Sequence, residues 1–280
     1  MIGVSPAYFI SKFSNRFSPA DVAASLEDLP ALGFYGFQLE VFYRESLETW
    51  TRTGAAEIRK KSSDLGLKAH QLVAHFMLEG FADRQSLVSN AAVENMKVVL
   101  EIVDLFDECR VVTVPLPAFD YQAASNRDDY LFLFERCAAK VSRLQAMVED
   151  AGRRMALEIL PGAIVGGIDG FLRLCEHLGS DTLGFNFDTG HAWACKENLY
   201  LIPAKLGPRI LGTHLCDNFG NENLSLRPGA GSIDWSRLIA ALKACGYKGP
   251  WDIEIICKPE DAEIEYGTGR KFIENLLNRS

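Results

Sequence analysis

The chain has 280 residues, 48% hydrophobic and 24% charged, with a formal net charge of −8. This is an ordinary composition for a globular protein with a sizeable core, and the acidic balance is a poor match to a nucleic-acid binder held by phosphate contacts. Seven cysteines without a C-x-x-C pair argue against a disulfide framework and a cysteine zinc site, and predict reduced thiols in a cytoplasmic protein.

The opening MIGVSPAYF lacks the charged start and long apolar run of a signal peptide, and no apolar stretch reaches membrane length, so no membrane partner is expected. Residues 2–9 predict a first strand. Ser18 as N-cap and Pro19 in the first turn open a helix that runs to residue 32 and stops at Gly33. FYGFQLEVF predicts a second strand, with Gln38 and Glu40 near its end, and a helix over 54–65 closes at Gly66. LKAHQLVAHF is a third strand carrying His70 and His75. Val93, Met96, Val99, Leu100 and Val103 fall at helical spacing within 83–107. VVTVPLP (111–117) is the fourth strand, followed by a helix over 128–151. MALEILP is the fifth, with a helix near 168–178, and LGFNFD the sixth, with a short helix over 197–206. ILGTHLCD is the seventh, followed by the amphipathic WSRLIAALKACG, and WDIEII is the eighth, before a closing helix over 270–278.

Eight strands alternating with helices predict a parallel sheet with right-handed crossovers. The count of eight, and the absence of G-x-G-x-x-G after the first strand, favour an α/β fold of the (β/α)8 TIM barrel type over an open doubly wound sheet. The whole span 1–280 reads as one domain.

Active groups of such a barrel stand at the carboxyl ends of its strands. Glu158 in ALEILPG, Asp188 in FNFDTGHAW, His214 in ILGTHLCDN and Glu254 in WDIEII end strands five to eight. Neighbouring strands lie about 4.8 Å apart, so inward side chains from four of them can reach one point. Three crowded carboxylates that stay ionised need a compensating cation. Oxygen-rich coordination with one imidazole suits manganese, magnesium or cobalt, with zinc or iron also open. Glu40, at the end of strand two, is a candidate to hydrogen-bond a substrate hydroxyl, against the plainer reading of a rim salt bridge. His70 and His75 differ by five and face opposite sides, so at most one points inward; His70 is taken as a substrate-contact candidate. Asp217, three residues past His214, is a candidate acceptor that orients a metal ligand.

The motifs LEILPG, FDTGHA, THLCDN, RPGAGSIDW (227–235) and GYKGPWDIEI (246–255) resemble the xylose isomerase-like barrel superfamily. The smaller members that the chain resembles are the tagatose and psicose 3-epimerases, inosose dehydratase and endonuclease IV. The resemblance is close in the second half and rests on the β/α rhythm and GFYGFQLEV in the first. It implies one divalent metal ion held by Glu158, Asp188, His214 and Glu254, with Glu158 and Glu254 as acid and base and His191 as a substrate contact. Arg227 directly precedes Pro228-Gly229, a shifted register from the epimerases' arginine, and enters as a further substrate-binding candidate.

The implied function is isomerisation or epimerisation of a ketose or related small carbohydrate through an enediolate. A metal held by carbonyl and neighbouring hydroxyl acidifies the C–H between them, one carboxylate removes the proton and the other returns one. A sugar or polyol dehydratase on the same site is the near alternative. A non-catalytic sugar-binding barrel and an abasic-site endonuclease are the distant ones. Endonuclease IV uses extra histidines for three zinc ions, and NLSLRPGAG and VVTVPLP carry none. The expected partner is therefore a small carbohydrate and not a nucleic acid. Many relatives form dimers or tetramers, so a homo-oligomer stays open.

Overall fold

The computed structural model describes residues 1–50, 52–120 and 125–279. Eight strands, β1 (Ile2–Val4), β2 (Gly36–Glu40), β3 (Lys68–Val73), β4 (Val111–Leu116), β5 (Arg154–Ile159), β6 (Gly184–Asp188), β7 (Ile210–His214) and β8 (Trp251–Ile253), follow one another around a single sheet in the order β7-β6-β5-β4-β3-β2-β1-β8. The pairings between strands are parallel. The ring closes between β7 and β8 through the bridge Leu215–Ile253, with Leu215 N–H donating to Asp252 O (2.8 Å) and Glu254 N–H to Leu215 O (3.0 Å). The expected (β/α)8 barrel is the observed architecture.

Around it run α1 (Ala7–Phe13), α2 (Pro19–Ser25), α3 (Asp28–Ala31), α4 (Arg52–Asp64), α5 (Arg84–Val88), α6 (Met96–Val103), α7 (Arg127–Asp150), α8 (Ile168–Leu178), α9 (Thr189–Ala194), α10 (Ile202–Leu206), α11 (Trp235–Ala244) and α12 (Ala262–Arg279). Their apolar faces pack on the outside of the strands in one continuous core. Among the described residues no helix is long and apolar enough to cross a membrane. All seven cysteines are free.

The boundaries depart from sequence expectation where local chemistry overrides pattern. The first strand stops at Val4, because Ser5 Oγ accepts the Ala7 N–H (3.2 Å) and Pro6 opens α1, so Tyr8 and Phe9 enter the core from a helix. The helix expected over 19–32 is two: Pro30 has no N–H to give the Leu26 carbonyl, which takes the Leu29 N–H instead. The segment 83–107 is also split, between α5 and α6, with Ala92 at φ 70. The last helix begins eight residues earlier than its apolar pattern suggested.

One layer of the barrel interior is polar. Gln38, Gln71, Asn186 and Asp252 are fully buried there. Residues two apart on a strand share a face, so Gln38, Asn186 and Asp252 lie one layer below Glu40, Asp188 and Glu254 respectively. Glycine makes the room. A Cβ on Gly212 would stand 2.2 Å from Gln71 Oε1 and 2.7 Å from Asn186 Oδ1, and one on Gly3 would stand 2.2 Å from Asp252 Oδ1. Gly212→Ala is therefore expected to destabilise the fold by about 1–3 kcal/mol, the usual cost of overpacking a filled core. Chemical denaturation measures it, and an unchanged midpoint would show that the layer yields freely.

Candidate metal centre and active site

Each side chain of the centre is delivered by a strand end. Asp188 closes β6 and is also the N-cap of α9, its Oδ1 accepting the His191 N–H at 2.7 Å. The short helix α9 that follows brings His191 back over the strand end. His214 Nδ1 lies 2.9 Å from Glu254 Oε2, 3.3 Å from Glu158 Oε2 and 4.0 Å from Asp188 Oδ2. His191 Nε2 sits 3.8 Å from Glu158 Oε1 and 3.7 Å from Asp188 Oδ2. All but Glu254 and His191 are buried. Cys216, which the sequence reading passed over, adds a thiol 3.7 Å from Asp188 Oδ1. It lies two residues past His214, the same period-2 signal that marks the other interior residues.

The electrostatics are those of crowded acids around one imidazole. Burial, opposed by His191, pushes the Asp188 carboxyl from its ordinary 3.8 up to about 7. Glu158 goes the other way, to about 2, because His214 beside it outweighs the burial that pushes it up. His214 is raised well above its ordinary value because Glu158 and Glu254 outweigh its burial. Burial, with Glu254 and Glu158 adding to it, lifts the Glu40 carboxyl well above the usual range.

Two atoms test whether the set suits a metal. Asp188 Oδ2 and His214 Nδ1 are both buried and make no hydrogen bond. Buried polar atoms are normally satisfied, and these two face the same point as the Glu158 and Glu254 oxygens. Two ligand-capable groups, Glu158–Asp188–His214 and Asp188–Cys216–Glu254, each converge within 4.8 Å here. Carboxylate oxygens with one imidazole nitrogen fit a divalent cation.

The centre opens on a cleft enclosing about 510 Å³ including its mouth, within the range of small-molecule sites. Glu40 stands in its wall, buried and with Oε2 unpartnered. His191 lines it too. Its apolar wall includes Pro6, Ile10, Phe42, Val73, Leu160 and Ile256.

Three candidates fall elsewhere. His70 is not in the cleft: it lies near the start of β3, where its Nε2 meets Asp252 Oδ2 at 2.8 Å. The histidine that reaches the cleft is His75, just past the strand end and stacked on Phe42 with ring centroids 3.8 Å apart. The opposite-face expectation from the five-residue spacing does not hold: His75 lies beyond β3, the pairing of β3 with β2 skips His70, and His70 reaches the interior Asp252, so both turn inward at different depths. Arg227 pairs with Glu265 (3.1 Å) and is not among the cleft residues. Asp217 does not hold His214. It is fully buried and accepts from Gly229 N (3.0 Å), Ile233 N (3.2 Å) and Trp235 Nε1 (2.8 Å), so it pins the loop over 227–235. The partner of His214 is Gln38, whose Oε1 lies 2.9 Å from Nε2.

A parallel eight-stranded barrel with a carboxylate and imidazole cluster at the carboxyl ends of its strands defines a class of barrels with their chemistry at that mouth. The chain belongs to the xylose isomerase-like TIM barrel family, whose profile matches residues 26–276. The inosose isomerase of Bacillus velezensis is 24% identical over 202 residues, 65% of this chain and 69% of that one. The chain spans only 27% and 41% of the length of two further curated relatives, uncharacterised proteins of Sinorhizobium fredii and Methanocaldococcus jannaschii. Among solved structures, an L-ribulose 3-epimerase superposes with a TM-score of 0.75 at 18% identity, covering 99% of this chain and 94% of that one. The IolI protein with a bound zinc atom gives 0.75 at 18% identity, covering 99% and 98%.

Proposed function

We propose that the protein is a divalent-metal-dependent isomerase or epimerase of an uncharged ketose or keto-polyol. The observation that carries this is the convergence of Glu158, Asp188, His214 and Glu254 on one point, with Asp188 Oδ2 and His214 Nδ1 making no hydrogen bond. Those four residues would hold the ion, manganese, magnesium or cobalt by donor chemistry, with zinc or iron also compatible. When bound, the ion draws electron density from substrate oxygens and acidifies the adjoining C–H. Glu158 and Glu254 stand on either side of His214 and serve as the proton-removing and proton-returning pair. His191 and Glu40 hydrogen-bond substrate oxygens from the cleft wall, and the apolar wall keeps water from the exchanged proton. The names of the B. velezensis relative and the ribulose epimerase support the same reaction class.

A dehydratase reading has one observation of its own. Glu40, whose carboxyl is lifted well above the usual range by burial with Glu254 and Glu158 adding to it, stands in the cleft wall as the acid for a departing hydroxyl. Incubation in D₂O with Mn²⁺ and a panel of free ketoses and inososes separates the two. Deuterium gained without loss of water supports isomerisation, and an enone absorbance supports elimination. Neither signal on any member of the panel would overturn the assignment.

The described residues lining the cleft include no Lys or Arg. Like charges brought together cost several kcal/mol, so a phosphorylated ketose is expected to show kcat/KM lower by about 10²-fold or more than its free sugar. Parallel assays of the two forms check this, and equal efficiency would refute an uncharged substrate.

A further inference from the structure

The four candidate ligands account for the mouth of the barrel but not for the polar layer beneath it. Gln38 Nε2 donates to Asp252 Oδ2 at 2.8 Å, and Gln38 Oε1 takes both His214 Nε2 (2.9 Å) and Gln71 Nε2 (3.1 Å). Gln71 Nε2 also donates to Asn186 Oδ1 (3.0 Å), and Asn186 Nδ2 donates to Glu158 Oε2 (3.0 Å). His70 Nε2 meets the same Asp252 Oδ2 at 2.8 Å. Every amide in this chain has two possible orientations, but each end of it is a carboxylate, Asp252 below and Glu158 above, and a carboxylate accepts and does not donate.

We propose that Asp252, which touches none of the four ligands, orients two of them through this one-way chain of hydrogen bonds. Because Asp252 accepts, Gln38 must turn its nitrogen down and its oxygen up. That oxygen requires a proton on His214 Nε2, which makes Nδ1 the nitrogen that faces Glu158, Asp188 and Glu254 and the one an ion would take in place of its proton. The same oxygen takes a Gln71 hydrogen, and the second Gln71 hydrogen turns the Asn186 oxygen downward. Asn186 then presents its N–H to Glu158 Oε2 and fixes which lone pairs of that carboxylate remain free. Gln71 Oε1 is buried without a partner, as expected if both Gln71 hydrogens, and not its oxygen, are what the layer uses. Asp252, Gln38, Gln71 and Asn186 are thus positioning residues. Hydrogen bonds of this kind commonly govern ligand tautomer in metal sites; what this chain adds is a path that starts from an acid at the barrel's interior floor. The inference rests on the metal reading above.

The test is a swap. Asp252→Asn removes the acceptor-only end, lets the Gln38 amide turn over and allows His214 to carry its proton on Nδ1. Mn²⁺ and Zn²⁺ affinity, measured by titration calorimetry, is expected to fall about 10–100-fold. Gln38→Glu combined with Asp252→Asn exchanges acid and amide: the new carboxylate accepts from His214 Nε2 and from the amide introduced beneath it. The double variant is expected to recover affinity to within about threefold of wild type, a rescue that a loss of packing would not give. Circular dichroism of the metal-free proteins confirms that each is folded. Wild-type affinity in a folded Asp252→Asn protein overturns the chain of orientation while leaving the metal reading intact. A folded double variant that fails to bind also overturns it. A wild type that takes up neither ion removes the metal reading and this inference together.

Discussion

Glu254→Gln and Glu158→Gln are each expected to lower turnover about 10²–10⁴-fold, the loss associated with removing a positioned acid or base. Both are close isosteres, so the cleft keeps its shape. Each has a counterpart cost at the metal, since an amide oxygen is a weaker ligand than a carboxylate. The two effects are separable. With Mn²⁺ held saturating, the loss should remain in kcat, because proton transfer needs a group that can gain and give up a proton. If the glutamates only ligated, saturating metal would restore the rate. Single-turnover deuterium exchange adds a further discrimination: the variant lacking the proton-removing group should block exchange, whereas the other should leave exchange ahead of product formation.

Adding metal is expected to raise the melting temperature, and more so at high pH. At a free ion concentration of 100 Kd the gain is about 2.7 kcal/mol, or about 5–10 °C at about 2–4 °C per kcal/mol for larger domains. The pH dependence follows from the shifted groups. Asp188, raised from 3.8 to about 7, binds a proton in the folded state that the unfolded chain has released, so metal-free stability falls as pH rises between those values. His214, also raised, contributes stability present below its unfolded pKa and lost as pH climbs through the folded one. Glu158 has the opposite sign, but its window, from about 2 to 4.5, lies below pH 5. From pH 5 to 8 the metal-free protein should therefore weaken, while the ion, which replaces these protons, binds better. Differential scanning fluorimetry with and without Mn²⁺ at pH 5.5 and 8 reads the difference. His214→Ala and Asp188→Ala should abolish the metal-dependent gain at both, and a gain retained in both variants would place the ion elsewhere.

The sequence carried the barrel because each β/α unit is marked twice, by an apolar strand and by a turn residue such as Gly66, Gly152, Gly179 or Gly246 at positive φ. It carried the four strand-end groups because their places at successive strand ends are a property of order along the chain. What it could not carry was depth. His70 and His75 sit in one strand-like run of sequence, and only the end of β3 at Val73 tells them apart. Asp217 and Arg227 were read from their nearness in sequence to His214 and Pro228-Gly229, but hydrogen bonding is decided across strands, and both side chains turn toward loop and helix partners. The polar layer did leave a trace, in F-Q-L-E, F-N-F-D and W-D-I-E. In each, a polar residue precedes the mouth residue by two. The pattern reads as a strand with one wet face until closure of the barrel shows that both faces are dry.

The bridge at Leu215–Ile253 is where the circle of strands meets itself, and it lies beside the residues that carry His214 and Glu254. β8 and β1 are the shortest strands, three residues each. Local opening favours places with few backbone hydrogen bonds, so this seam is the natural point for the barrel to breathe. An ion held by His214 on one side and Glu254 on the other would then act as a clasp. Occupancy of the site and integrity of the ring become one equilibrium, and a cell short of the metal would lose standing protein as well as activity.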